Sequence, residues 1–267
     1  MMASPTLISI ASAVALVPAT MAAFRTNAKR DSQFWLLMVV AACGPAVWLT
    51  TQNSTGWHTG FAAALWVTIA VCLLAFAGLA VFSRDAWRLA PLLMPYLLVL
   101  AVIAAIWNQA PATPMPSDAP PVWVVLHIVA SVVTYALLTL AAIAGAAVVL
   151  QERALRQKRR GGLAERLPSV ADAEVLELRL LMAAEAVLGV GMASGMAIQF
   201  FATGDLLILS HKTILTVVAF AVIAGLLACH FHSGLRGRRA ARYVLLGYLL
   251  VTLGYPGVKF VTDVILA

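Results

Sequence analysis

The chain has 267 residues, 63% of them hydrophobic and only 11% charged, with a mean hydropathy of +0.95. A soluble domain cannot hide that much apolar surface, whereas a polytopic membrane protein turns it toward lipid. The net charge of +7 is gathered in alternate connections between apolar stretches, which excludes a nucleic-acid footprint and marks orientation instead.

Eight apolar stretches are long enough to cross a bilayer, or nearly so, at roughly 6–23, 33–50, 59–82, 91–107, 122–150, 178–202, 209–232 and 241–266. Their Leu, Ala, Val and Ile run on without period-two alternation, so they predict helices and not barrel strands. The first stretch lacks a basic region before it and has Arg25, Lys29 and Arg30 after it, the pattern of a transmembrane helix and not of a cleaved signal. The connection 108–121 is rich in proline and nearly uncharged, and predicts an extended cap without a helix. The segment 151–177 begins as a basic extension of the fifth helix, breaks at Gly161-Gly162 and again at Pro168, and then restarts as the sixth; it reads as an elbow in contact with anionic membrane lipid. Sixteen of the eighteen lysines and arginines fall in the connections after the first, third, fifth and seventh stretches. The positive-inside rule puts these in the cytoplasm and both termini outside. The predicted fold is all-α: a single bundle of eight transmembrane helices, with an accessory part over 1–110 and a core over 120–267.

The chemistry-bearing residues concentrate in that second part. His127 opens the fifth helix, and His211 with Lys212 opens the seventh. Lys259 stands near the far end of the eighth, about 27 Å of helix rise from Arg242. The orientation brings all four to one depth near the outer interface. Two imidazoles there can ligate a haem iron axially, and two lysines suit its propionates. The same residues also fit a plainer role as interfacial anchors, with Lys259 pairing with Asp263 one turn on. His58, beside Trp57, reads as an interface residue.

Toward the basic side, His230 and His232 are about 200° apart on a helix, so only one faces the bundle. Glu185 lies roughly 10 Å of rise into the sixth helix, where a lone carboxylate is costly; His230 is its expected partner, and a structural pair is the alternative. Gly191 and Gly195 form a small face that admits a close helix or a flat ligand. Cys43, Cys72 and Cys229 are isolated within membrane stretches, and no C-x-x-C-H is present to attach haem covalently. No nucleophile–base pair, phosphate loop or carboxylate dyad is present, so the chain reads as a non-enzyme.

Several of these residues form an ordered set. Leu126-His127-Ile128, the run Tyr135–Ala141, Leu150-Gln151-Glu152-Arg153-Ala154-Leu155, His211-Lys212-Thr213, Arg236–Ala240 and Gly257–Val261 together resemble the cytochrome c assembly family over roughly 120–267, closest to its small YpjD-like branch. The resemblance implies a bacterial inner-membrane protein that handles non-covalent, b-type haem, with other cytochrome c maturation proteins as partners. By that resemblance, His127 matches the first outer histidine of the family. Larger members carry a tryptophan-rich, Asp-ended outer motif before the position of His211, whereas residues 202–210 hold no tryptophan. The alternatives are a membrane scaffold or regulator that no longer binds haem, and a small proton-coupled transporter. The transporter is disfavoured by the lack of an inverted repeat.

Overall fold

A computed structural model of the chain describes residues 5–25, 29–52, 58–108, 113–114, 120–158, 161–205, 210–234, 237–257 and 260–261. Helices α1 (Pro5–Val14) and α2 (Val17–Ala23) share the first apolar stretch. They are followed by α3 (Ser32–Gln52), α4 (Phe61–Phe82), α5 (Ala90–Ile106), α6 (Pro121–Arg156), α7 (Val170–Thr203), α8 (His211–Ser233) and α9 (Arg238–Thr252). The first stretch was expected to be one helix. Pro18 breaks it, because it has no N–H to give to the Val14 carbonyl.

Among the described residues, seven segments are long and apolar enough to cross a membrane, α1 and α2 counting together as one. The eighth expected stretch is present as α9, but its described α-helical part is 15 residues and begins with Arg238, Arg239 and Arg242. A short π turn, Leu253–Gly257, continues it. Beyond that, Phe260 packs its ring 5.3 Å from Phe61 and 5.5 Å from Trp107. Phe61 starts α4 and Trp107 follows α5, so the last segment runs from the basic end of the bundle to the opposite one.

The connections sort into two ends, as the charge pattern predicts. At the basic end, Arg30 donates to the Ala80 carbonyl at 2.6 Å, and Arg88 donates to the carbonyls of Glu165 at 2.7 Å and Arg166 at 3.3 Å. At the other end, His58–Thr59 pairs antiparallel with Thr113–Pro114, and Trp48 donates to Asn108 Oδ1 at 3.1 Å. The described part of the 108–121 connection is thus extended, as expected.

α6 is the central element, packed on α4, α7 and α9. Ala136, Leu140, Ala144 and Ala147 are buried along it, small side chains alternating with one large one so that neighbouring backbones come close. Leu36, Phe82, Ile106, Val125 and Phe201 point outward, as side chains facing lipid do.

α6 runs on past the apolar stretch to Arg156, and the chain turns through Gly161 and Gly162 at φ 103° and 83° before α7 starts after Pro168. Gln151 clasps this elbow. Its Nε2 donates to the carbonyls of Ala164, Leu167 and Pro168 at 2.7, 3.3 and 2.9 Å. Gln151→Ala removes the donor from three turn carbonyls, a cost of about 1–3 kcal/mol. The expected result is faster proteolysis and amide exchange over 161–168 with an unchanged helical spectrum. Unchanged exchange there would show that the clasp is dispensable.

Candidate functional site

His127 lies two turns into α6, which opens on Pro121, a residue suited to a first turn because its missing N–H is not needed there. The imidazole rests over the glycine face of α7. A Cβ at Gly195 would lie 3.1 Å from His127 Cε1, and one at Gly191 would meet Ala130 Cβ at 3.5 Å. His127 Nδ1 is 3.0 Å from the Gly191 carbonyl and 3.3 Å from Ser194 Oγ, which itself donates to that carbonyl at 2.8 Å. A carbonyl can only accept, so Nδ1 carries a proton, and in the neutral ring this leaves the lone pair on Nε2. Metal-ligating histidines are oriented in the same way.

Beside the imidazole is a cavity of about 340 Å³, bounded by α6, α7, α8 and α9 and within the range that takes small ligands and cofactors. Ser131, Thr134 and Tyr135 line it from α6, Met192, Met196 and Gln199 from α7, and Ser210, Thr213 and Thr216 from α8. Thr134 Oγ1 and Gln199 Nε2 are buried without a hydrogen-bond partner among the described residues. Both residues line the cavity, but these two atoms are themselves shut off from a water-sized probe, so a ligand oxygen would meet them only after a side-chain rotation. The floor is fixed, because the Tyr135 hydroxyl meets Tyr248 Oη at 3.2 Å and Thr252 Oγ1 at 3.3 Å, and Tyr248 in turn meets Tyr96.

Ser210 caps α8 by accepting from Thr213 N at 3.3 Å, so the helix start that carries His211 and Lys212 borders the same cavity. The side chains of His211 and Lys212 lie outside the described residues, as does Lys259 entirely. Of the expected outer set, therefore, His127 is placed on the cavity wall and His211 by its backbone. Met192, Met196, Thr134 and Gln199 were missed by the sequence reading. A usable signal was there: 188, 192, 195 and 199 follow helical spacing on one face of α7 with the two glycines.

At the basic end, the structure separates two residues that were expected to pair. Both Glu185 oxygens are buried with no hydrogen-bond partner among the described residues. His230 lines a cavity of about 30 Å³ with Glu174 and Glu177. Glu185 is about 12 Å of helix rise beyond Glu177, so the last turn of α8 meets α7 too early to reach it. Glu177 is 4% exposed and enters the bundle at Gly145, where a Cβ would lie 2.9 Å from its Oε1. His232 is exposed, so His230 is the one that faces the bundle. Among the described residues, no group of three metal-ligating side chains gathers.

The glycine face sets up a paired comparison. Gly195→Ala gains up to about 1 kcal/mol of helix propensity, but its Cβ must push the His127 ring by a few tenths of an ångström. Gly189→Ala meets only Phe220, at an ordinary 3.6 Å. The expected outcome is similar thermal stability for both, with ligand binding in the cavity weakened in Gly195→Ala alone. Equal binding in the two would mean that the imidazole position is not critical.

Three comparisons with known proteins bear on this site. The family described as "Cytochrome C assembly protein" matches residues 33–266, and so reaches well before residue 120, where the resemblance in sequence was first legible. A protein of Azospirillum brasilense, described as "Uncharacterized 28.8 kDa protein in nifR3-like 5'region", is 50% identical over 263 residues, covering 97% of each chain. No solved structure matches.

Proposed function

The chain belongs to the cytochrome c assembly protein family, and from that premise we propose that it serves c-type cytochrome biogenesis by holding haem non-covalently, with His127 Nε2 as an iron ligand. The observation that supports this reading is the hydrogen bond of Nδ1 to the Gly191 carbonyl, which leaves Nε2 open to coordinate from a ring that rests on α7 over Gly195. When bound, haem would supply an iron that accepts a nitrogen ligand and two carboxylates that accept hydrogen bonds or pair with cations. Thr134 and Gln199, which line the cavity, each carry a donor without a partner among the described residues that a side-chain rotation would turn toward a ligand. His211, at the start of α8, would be the second residue to hold the iron, and Lys212 and Lys259 the proposed propionate partners.

In this reading the basic end faces the cytoplasm of a bacterial inner membrane, and the His127 end faces outward. The last segment, running from Arg238 to Phe260, makes an eighth crossing and leaves both termini outside. The half from 120 to 267 holds the cavity, and the earlier helices brace it. The chain binds and positions haem without catalysing a step, and other maturation proteins exchange haem with it.

The test is an absorption spectrum of the detergent-purified protein, as isolated and after addition of haemin. A Soret band with low-spin features is the expected result. Its absence in both samples would overturn haem holding and leave a scaffold or regulator that has lost it.

A further inference from the structure

A cavity of about 1060 Å³ shares no residue with the His127 cavity. It lies at the basic end, between α2, α3, α5 and the elbow that joins α6 to α7. Its depth is apolar and yielding: Ala19 and Ala22 of α2 leave space, and Leu37 and Met38 of α3 and Met94 of α5 close it. Its rim carries Arg25, Lys29, Arg88 and Arg166, against two carboxylates, Asp31 and Glu165.

Two of these cations are built in. Arg88 is held by the Glu165 and Arg166 carbonyls, and Arg166 donates to the Phe24 carbonyl. Asp31 is occupied as the cap of α3, accepting from Phe34 N at 3.0 Å. Among the described residues the ion pair formed is Arg156–Glu152, which lies outside this rim. A guanidinium has five donors, and the backbone uses two from Arg88 and one from Arg166, so both retain donors and full charge toward the cavity.

We propose that this cavity is a specific site for an acidic phospholipid, its phosphate on the four rim cations and one acyl chain over Ala19, Ala22, Leu37 and Met94. A free phosphate would use the rim and leave the apolar depth unfilled. Basic pockets between transmembrane helices recognise anionic headgroups in this way. The bound lipid would tie α2 and α3 to the elbow, which is otherwise joined to the end of α2 by the Arg166–Phe24 hydrogen bond. The inference does not rest on haem binding.

The test uses the full chain in detergent and native mass spectrometry with phosphatidylglycerol, phosphatidylcholine or inorganic phosphate. Phosphatidylglycerol is expected to stay bound and raise the melting temperature, and the other two are expected to do neither. Arg25 and Lys29 are exposed and stand outside the hydrogen-bonded ring of Arg88 and Arg166. Arg25→Gln with Lys29→Gln should weaken retention about fivefold per cation. Ala22→Leu, which fills the depth and leaves every cation, should also displace the lipid, whereas His127→Ala should not. Equal retention of both lipids, or retention unchanged in the double variant and in Ala22→Leu, would overturn the site. Inorganic phosphate matching phosphatidylglycerol would overturn the lipid in favour of a free anion.

Discussion

His127→Ala is expected to abolish the low-spin Soret band proposed for the wild-type protein with haemin. The loss of affinity should exceed the roughly 10–100-fold that follows from removing a hydrogen-bond partner of a ligand. The fold should survive, because the Gly191 carbonyl keeps the Ser194 hydroxyl as a donor at 2.8 Å, and no buried acceptor is orphaned. Ser194→Ala tests the layer behind: it removes one acceptor for Nδ1 but leaves the carbonyl in place, so a loss of about tenfold is expected. His127→Gly with added imidazole separates ligation from packing. If Nε2 is the coordinating atom, free imidazole restores the band in the vacated space over Gly195. A band that persists in His127→Ala, or one that imidazole does not restore in His127→Gly while the melting temperature falls, would assign His127 a structural role.

Much of the architecture was legible in the sequence, because lipid leaves few choices. Backbone groups must pair within a helix, and cations must stay at one end, so the spans and the two-ended sorting of connections follow from hydropathy and the positions of Lys and Arg. His127, which lines the cavity, stands out in the sequence as an imidazole at the head of an apolar helix. What could not be read was the register between helices. The rise along α7 gives the depth of Glu185, but the level at which α8 meets it is set by side-chain fit. That is why His230 lies with Glu174 and Glu177, and Glu185 does not join them. Glu177 in the notch of Gly145 is a contact of the same kind, set by a missing side chain on another helix. The break at Pro18, by contrast, was available from the sequence and was passed over.

The least legible contact is the one whose loss should cost most in stability. Trp66 of α4 is completely buried, stacks on Trp48 of α3 with centroids 5.9 Å apart at 27°, and donates from Nε1 to the buried Ser9 hydroxyl of α1 at 3.3 Å. Ser9 alone looks like an incidental polar residue in an apolar run; only the packing shows that it receives the indole. In a bilayer no water is released when helices associate, so their fit and their internal hydrogen bonds carry the stability. Trp66→Ala loses both and leaves a cavity among three helices, an expected cost of about 3–5 kcal/mol. Trp66→Phe keeps most of the ring and loses the N–H, and should cost about 1–3 kcal/mol, as should Ser9→Ala. Because each of these breaks the same bond, the double variant should cost less than the two added together. Reversible unfolding in mixed micelles reads all four variants. Strict additivity would show that the Ser9 bond contributes nothing, and a Trp66→Ala cost below about 1 kcal/mol would show that the first helices are not packed on α4 in this way.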